Sequence, residues 1–163
     1  MKRTLVALVE DKPGTLNRIA SLFRRRAFNI ESLTVGQTER PGLSRMTIVV
    51  DGERTDSAMV EHNLRKLVNV IRVEDVSDRP AIFHELALIK VRTTEGTRSE
   101  VMQVVKVLDG RVIDVGLETL MVEVTGLGEK VDRLIEVLRP FGIVEMLRTG
   151  RVAMACGGGP ISE

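Results

Sequence analysis

The sequence predicts an α+β protein of two tandem sandwiches, each built from the order βαββαβ. Three observations carry this expectation. The same succession of short apolar runs and helical stripes occurs twice. A polar, proline-terminated break, Ser77-Asp78-Arg79-Pro80, separates the two copies. The chain's 163 residues allow either one large domain or two small ones, and the repeat decides for two.

The first copy begins with Thr4–Val9, a continuous apolar run short enough to be a buried strand. Pro13-Gly14 then punctuates the chain. Leu16, Ile19, Ala20 and Phe23 follow at helical spacing, and Arg24-Arg25-Arg26 closes the helix, where cations complement the helix dipole. Ile30–Gln37 reads as a strand and Glu39-Arg40-Pro41-Gly42 as a turn. Met46, Ile48 and Val50 alternate along the returning strand of a hairpin. Val60, Leu64 and Leu67 mark a second helix, and Val70–Val76 a last strand.

The second copy repeats the order. Leu86–Val91 is a strand, and Val101, Val104, Val105 and Leu108 fall on one helical face. Arg111–Val115 and Thr119–Thr125 flank Gly116 as a hairpin. Val131, Leu134, Ile135 and Leu138 form a second stripe, Pro140-Phe141-Gly142 breaks it, and Ile143–Arg148 is the last strand. Each unit folds most simply as a four-stranded antiparallel sheet with both helices on one face, a ferredoxin-like sandwich. The expected domains are residues 1–77 and 81–152, with 153–163 as a flexible tail.

A domain of roughly 75 residues is marginal alone, and its sheet has a bare face and edges that need covering. A homodimer is therefore expected. The net charge of +1 argues against nonspecific binding to nucleic acid, and no sheet aromatics accompany Arg24-Arg25-Arg26 to stack bases. No apolar stretch reaches the ~18 residues of a membrane span, and the N-terminus lacks the core and cleavage site of a signal peptide. A cytosolic protein is the simplest reading. The single cysteine, Cys156, and the two histidines, His62 and His84, exclude an internal disulfide, a cysteine metal cluster and a three-histidine site within one chain. Gly157-Gly158-Gly159-Pro160 lacks the following helix, Lys and Ser/Thr of a phosphate-binding loop.

The loop Glu10–Gly14 is the most informative segment. Free amides at the start of the helix favour an anion, Gly14 allows close approach of a ligand, and the Asp11 carboxylate suits an ammonium group. An amino-acid zwitterion presents both charges. The competing reading is local: Asp11 or Lys12 caps the helix, Pro13 occupies its first position and Gly14 makes the turn. Spacing alone favours the local reading. Asn29 has the same two readings, a ligand contact or the left-handed residue that ends the helix.

Three strings together resemble the small regulatory subunits of acetolactate (acetohydroxyacid) synthase: Leu8 to Leu16, Phe28-Asn29-Ile30-Glu31-Ser32-Leu33-Thr34-Val35, and Leu43 to Ile48. Lys66–Val70, Glu85–Val91 and Val112–Val115 extend the likeness, which runs from about Arg3 to Val152. The Pro-Gly loop alone would mark only the broader ACT-domain group. The resemblance implies an N-terminal ACT domain, a C-terminal ferredoxin-like domain and a dimer in which ACT sheets join side by side.

It also implies feedback inhibition by a branched-chain amino acid, usually valine. The implied partner is a separate catalytic subunit carrying thiamine diphosphate, Mg and often FAD, which the small subunit activates. The small subunit holds no cofactor and does no covalent chemistry itself. Carried over by position, the effector site comprises Asp11, Lys12, Pro13, Gly14, Thr15 and Leu16 of one protomer, facing Asn29 and Ile30 of the other.

Asp11 stands where many members carry Asn; a carboxylate holds an ammonium more strongly and repels a carboxylate. Ala27 stands where Gly is common, a place suited to positive φ. The second repeat's loop, Arg92–Thr97, lacks Pro-Gly, and no Asn occupies the position matching Asn29, so that domain is expected to support assembly rather than bind effector. A ligand-responsive transcription regulator is the alternative, but no helix-turn-helix or basic stripe is visible. An acylphosphatase-like enzyme would rest on fold analogy alone.

Overall fold

The computed structural model describes residues 1–158. The chain divides into two compact units, one formed by Met1–Ile82 with the residues from Arg151 onward, the other by Phe83–Gly150.

In the first unit β1 (Lys2–Glu10), α1 (Thr15–Arg26), β2 (Ile30–Gln37), β3 (Leu43–Asp51), α2 (Ser57–Leu64) and β4 (Val70–Asp75) follow the expected order. The antiparallel sheet runs β2-β3-β1-β4. Alternation sets its core: Leu5, Ala7 and Val9 of β1 and Met46, Ile48 and Val50 of β3 face Ile19, Leu22, Phe23, Val60 and Leu64 of the helices. The buried face of α1 is Thr15, Ile19, Leu22 and Phe23. Leu16 and Ala20, expected on that face, point outward, and Leu16 is 48% exposed. A threonine occupying a core position shifts the helical phase away from the one that apolar residues alone suggest.

The residues from Val152, expected to end a domain and start a tail at 153, instead form a strand, β9 (Val152–Ala155). Arg45 donates to Ala153 O at 2.9 Å, Thr34 Oγ1 to Arg151 O at 3.1 Å, and Cys156 N to Pro80 O at 2.8 Å. Thr34 and Arg45 lie on the sheet face away from the helices, with Val6, Thr47 and Val49. Those three are 0–3% exposed. Burial on both faces explains why β1 reads as a continuous apolar run rather than an alternating one. The glycine stretch from residue 159 onward lies outside the described residues.

In the second unit β5 (Ala81–Arg92, its first two residues belonging to the first unit), α3 (Arg98–Val107), β6 (Arg111–Val115), β7 (Thr119–Gly126), α4 (Gly128–Leu138) and β8 (Ile143–Arg148) form a sheet ordered β6-β7-β5-β8, the same permutation as the first. Its core joins Ala87, Ile89 and Val91 of β5 and Leu120, Val122 and Val124 of β7 to Val101 and Val105 of α3 and to the α4 stripe Val131, Leu134, Ile135 and Leu138. No helix among the described residues is long and apolar enough to cross a membrane.

Candidate functional site

The loop from β1 to α1 is held by its backbone. Glu10 N donates to Asn69 O at 2.9 Å, Asp11 N to Gly42 O at 2.8 Å, and Thr15 N to Lys12 O at 3.2 Å. Gly14 is the N-cap of α1 at φ 88°, and a Cβ built on it would meet nothing within 4 Å. Glycine is needed there for its conformation, and the space beside it is open. No side chain caps the helix. The local reading, in which Asp11 or Lys12 caps and Pro13 opens the helix, is therefore corrected: Pro13 lies outside α1, and the Asp11 carboxylate makes no hydrogen bond or ion pair among the described residues.

The amides of Leu16 and Asn17 make no backbone hydrogen bond among the described residues. Of the four α-helices among the described residues, α1 alone has no carboxylate at its start: α2 is capped by Asp56, and α3 and α4 carry Glu100 and Glu129 in their first turns. Its positive end is thus not offset by an acidic side chain of its own first turn. Thr15 is 5% exposed, and its Oγ1 has no hydrogen-bond partner among the described residues. Buried hydroxyls are ordinarily satisfied, so this one calls for an explanation.

Around the loop runs a side-chain network that the sequence did not reveal. Asn69 Nδ2 donates to Glu10 Oε2 at 2.8 Å, Arg18 Nη1 donates to Asn69 Oδ1 at 2.9 Å, and Lys12 Nζ pairs with Glu10 Oε2 at 3.2 Å. The Asn69 amide, and after it Lys12, hold the Glu10 carboxyl below its usual range.

At the other end of α1 the chain turns through Ala27, left-handed at φ 54°, and Phe28 N bonds Phe23 O at 3.0 Å. The left-handed residue is thus Ala27, not Asn29. Phe28 sets its ring edge-on to Phe23, centroids 5.9 Å apart. Asn29 is exposed and Ile30 half-buried. The two groups of candidate residues therefore sit at opposite ends of a 12-residue helix, roughly 18 Å apart at about 1.5 Å per residue. One chain does not bring them together.

The corresponding loop of the second unit has the same backbone frame. Arg92 N donates to Gly142 O and Thr93 N to Glu118 O, both at 2.8 Å, and Thr97 N to Thr94 O at 3.2 Å. Its contents differ. Thr97 Oγ1 accepts from Thr94 N at 2.9 Å, and Gly96 has no positive φ. Among the described residues no group of three or more His, Cys, Asp or Glu is placed to hold a metal ion. His62, His84 and Cys156 are exposed or at the surface of their units.

Two sandwiches of one topology, the first with an open glycine-led helix start, define a tandem protein of the ACT type. Residues 5–72 match the family described as the AHAS small subunit-like ACT domain, and residues 84–157 the family described as the small subunit of acetolactate synthase. The acetolactate synthase small subunit of Mycobacterium leprae is 51% identical over 154 residues, covering 94% of this chain and 91% of that one. Its counterpart from Mycolicibacterium smegmatis is 46% identical over 154 residues, with the same coverage. The crystal structure of the acetolactate synthase small subunit from Thermotoga maritima superposes with a TM-score of 0.89 at 38% identity, covering 98% of this chain and 99% of that one. The chain belongs to the family of acetolactate synthase small subunits.

Proposed function

We propose that this chain is a regulatory subunit that binds valine between two copies of its first domain, activates a separate catalytic subunit and confers feedback inhibition on it. The observation that carries the reading is the start of α1: an unfilled positive helix end, open space at Gly14, an unpartnered Thr15 hydroxyl and an unengaged Asp11 carboxylate lie within one short loop. The helix end and hydroxyl suit the carboxylate of an amino acid, and Asp11 suits its ammonium group.

The topology supports a two-chain site. β2 is an edge strand, and the bond from Asp11 N to Gly42 O ties the loop to the hairpin end of β2 and β3, the Gln37 end. Antiparallel pairing of β2 with β2 of a second copy sets Ile30 of one chain opposite Gln37 of the other. Asn29 and Ile30 then lie beside the partner's loop, twice per dimer. Valine at both junctions favours one arrangement of the dimer, which the catalytic subunit reads as a coupling free energy.

The test mixes the purified chain with its catalytic subunit and follows acetolactate formation with and without valine. Stimulation that valine reverses is expected; an unchanged rate and unchanged valine response sink the reading. Light scattering at micromolar concentration is expected to give a dimer.

A further inference from the structure

We propose that Asn69 is a positioning residue for the effector's ammonium group, sorting the charges of the loop so that Glu10 holds Lys12 and Asp11 stays free for the ligand. This rests on the effector reading above.

The second unit shows what Asn69 is not needed for. There the loop is anchored by the carbonyl of Gly142, which has no side chain, through the same bond that Asn69 O accepts from Glu10 N. Backbone anchoring accounts for a carbonyl at this place and leaves the Asn69 amide unexplained. That amide works in two directions. Its Nδ2 fixes the Glu10 carboxylate at 2.8 Å, and its Oδ1 is itself fixed by Arg18 Nη1 at 2.9 Å, from the second turn of α1. The carboxylate oxygen so held is the one that pairs with Lys12 Nζ at 3.2 Å.

Lys12 directly follows two carboxylates in the sequence, Glu10 and Asp11, and its long, flexible stem makes it a candidate partner for either. A lysine paired with Asp11 would neutralise and occupy the group suited to the effector's ammonium. The Asn69 amide holds Glu10 Oε2 in place, and Lys12 Nζ pairs with that same oxygen. Asp11 is the one carboxylate of the loop without a partner among the described residues.

The experiment measures valine binding to the full chain by titration calorimetry. Exposed ion pairs are weak, so removing the amide with Asn69→Leu is expected to weaken valine about five-fold. Adding Lys12→Gln, which removes the competing cation, is expected to restore affinity to that of Lys12→Gln alone. A double variant as weak as Asn69→Leu overturns the inference, because the loss is then structural. Glu10→Gln supplies an independent arm without touching Asn69: it too is expected to weaken valine, with rescue by Lys12→Gln. A wild-type chain that binds no valine overturns the effector reading itself and this inference with it, whereas an Asp11→Asn variant that binds valine equally well overturns this inference alone.

Discussion

Glu10–Thr15 and Arg92–Thr97 occupy equivalent places in their two sandwiches, between the first strand and the first helix. Three backbone hydrogen bonds correspond one for one, at 2.8–2.9 Å to the neighbouring turns and 3.2 Å within the loop. The frame is therefore a property of the βαββαβ fold, indifferent to sequence. What differs is the side chains that furnish it. In the second loop the threonine hydroxyl of Thr97 braces the backbone and Glu100 supplies the helix start with a negative charge. In the first, glycine opens the space and no acid stands in the first turn, while each loop buries one hydroxyl without a partner among the described residues, Thr15 in the first and Thr93 in the second. The fold places one such helix start after the first strand of each domain, and the side chains set the two apart.

The largest contrast is expected from one substitution made in each loop. Gly14→Asp forces a side chain into φ 88°, at a cost of about 1–2 kcal/mol, and sets a negative charge where the effector's carboxylate would lie. Loss of valine inhibition of the reconstituted enzyme is expected. Gly96→Asp enters an ordinary backbone conformation with its nearest neighbour, Thr94 Oγ1, 3.9 Å from the new Cβ. Valine inhibition is expected to survive. Equal responses in the two variants would erase the distinction between the loops.

The buried threonines sharpen it further. Thr15 and Thr93 each leave Oγ1 unpartnered among the described residues, at 5% and 2% exposure. Replacing either by valine removes an unsatisfied hydroxyl at nearly constant volume, so neither chain is expected to melt lower, and a gain of about 1 kcal/mol is expected. The ligand separates them. Thr15→Val is expected to weaken valine about ten-fold, roughly 1.4 kcal/mol, and Thr93→Val to leave it unchanged, both read by calorimetry. A Thr15→Val chain that binds valine normally assigns its hydroxyl to packing alone. A smaller effect, on stability only, is expected of Thr97→Ala, which removes the brace of the second loop at about 1 kcal/mol and leaves valine affinity unchanged.

The architecture was largely legible in the sequence because its determinants are local and periodic. The α4 stripe Val131, Leu134, Ile135 and Leu138 is buried throughout, with polar residues at every intervening turn. The Pro-Gly signal located the loop, and Ala27 adopts the positive φ expected at that place. What was hidden rests on contacts between distant segments. Ala153 looked like the start of a tail because nothing nearby in sequence announces hydrogen bonds to Thr34, Arg45 and Pro80. Asn69 lies 59 residues from Glu10 in a turn that any polar residue could fill. Thr15 escaped notice as a core residue because hydropathy places threonine outside. The network that prepares the loop is thus a tertiary property, whereas its glycine hinge is a sequence property.

The smallest expected effect is on pH, and it follows from that network. In the folded chain the Asn69 amide, with Lys12 behind it, lowers the pKa of Glu10 below its ordinary value. A group whose folded pKa is depressed contributes stability above its unfolded value and loses it as pH falls through the folded one. Between neutral pH and the ordinary carboxylate range the loop is therefore expected to keep its geometry. Below that range Glu10 takes up a proton, its bonds to Asn69 and Lys12 weaken, and the order of the loop is lost before the sandwich melts. A carboxyl-detected NMR titration of the full chain reads this directly. Glu10 is expected to titrate below free glutamate, and Asn69→Leu to move its midpoint back up. The second loop has Arg92 at the place of Glu10 and so no carboxylate at that position to undergo this step. A Glu10 midpoint that Asn69→Leu leaves unmoved would assign the shift to Lys12 and leave the asparagine as a turn residue only.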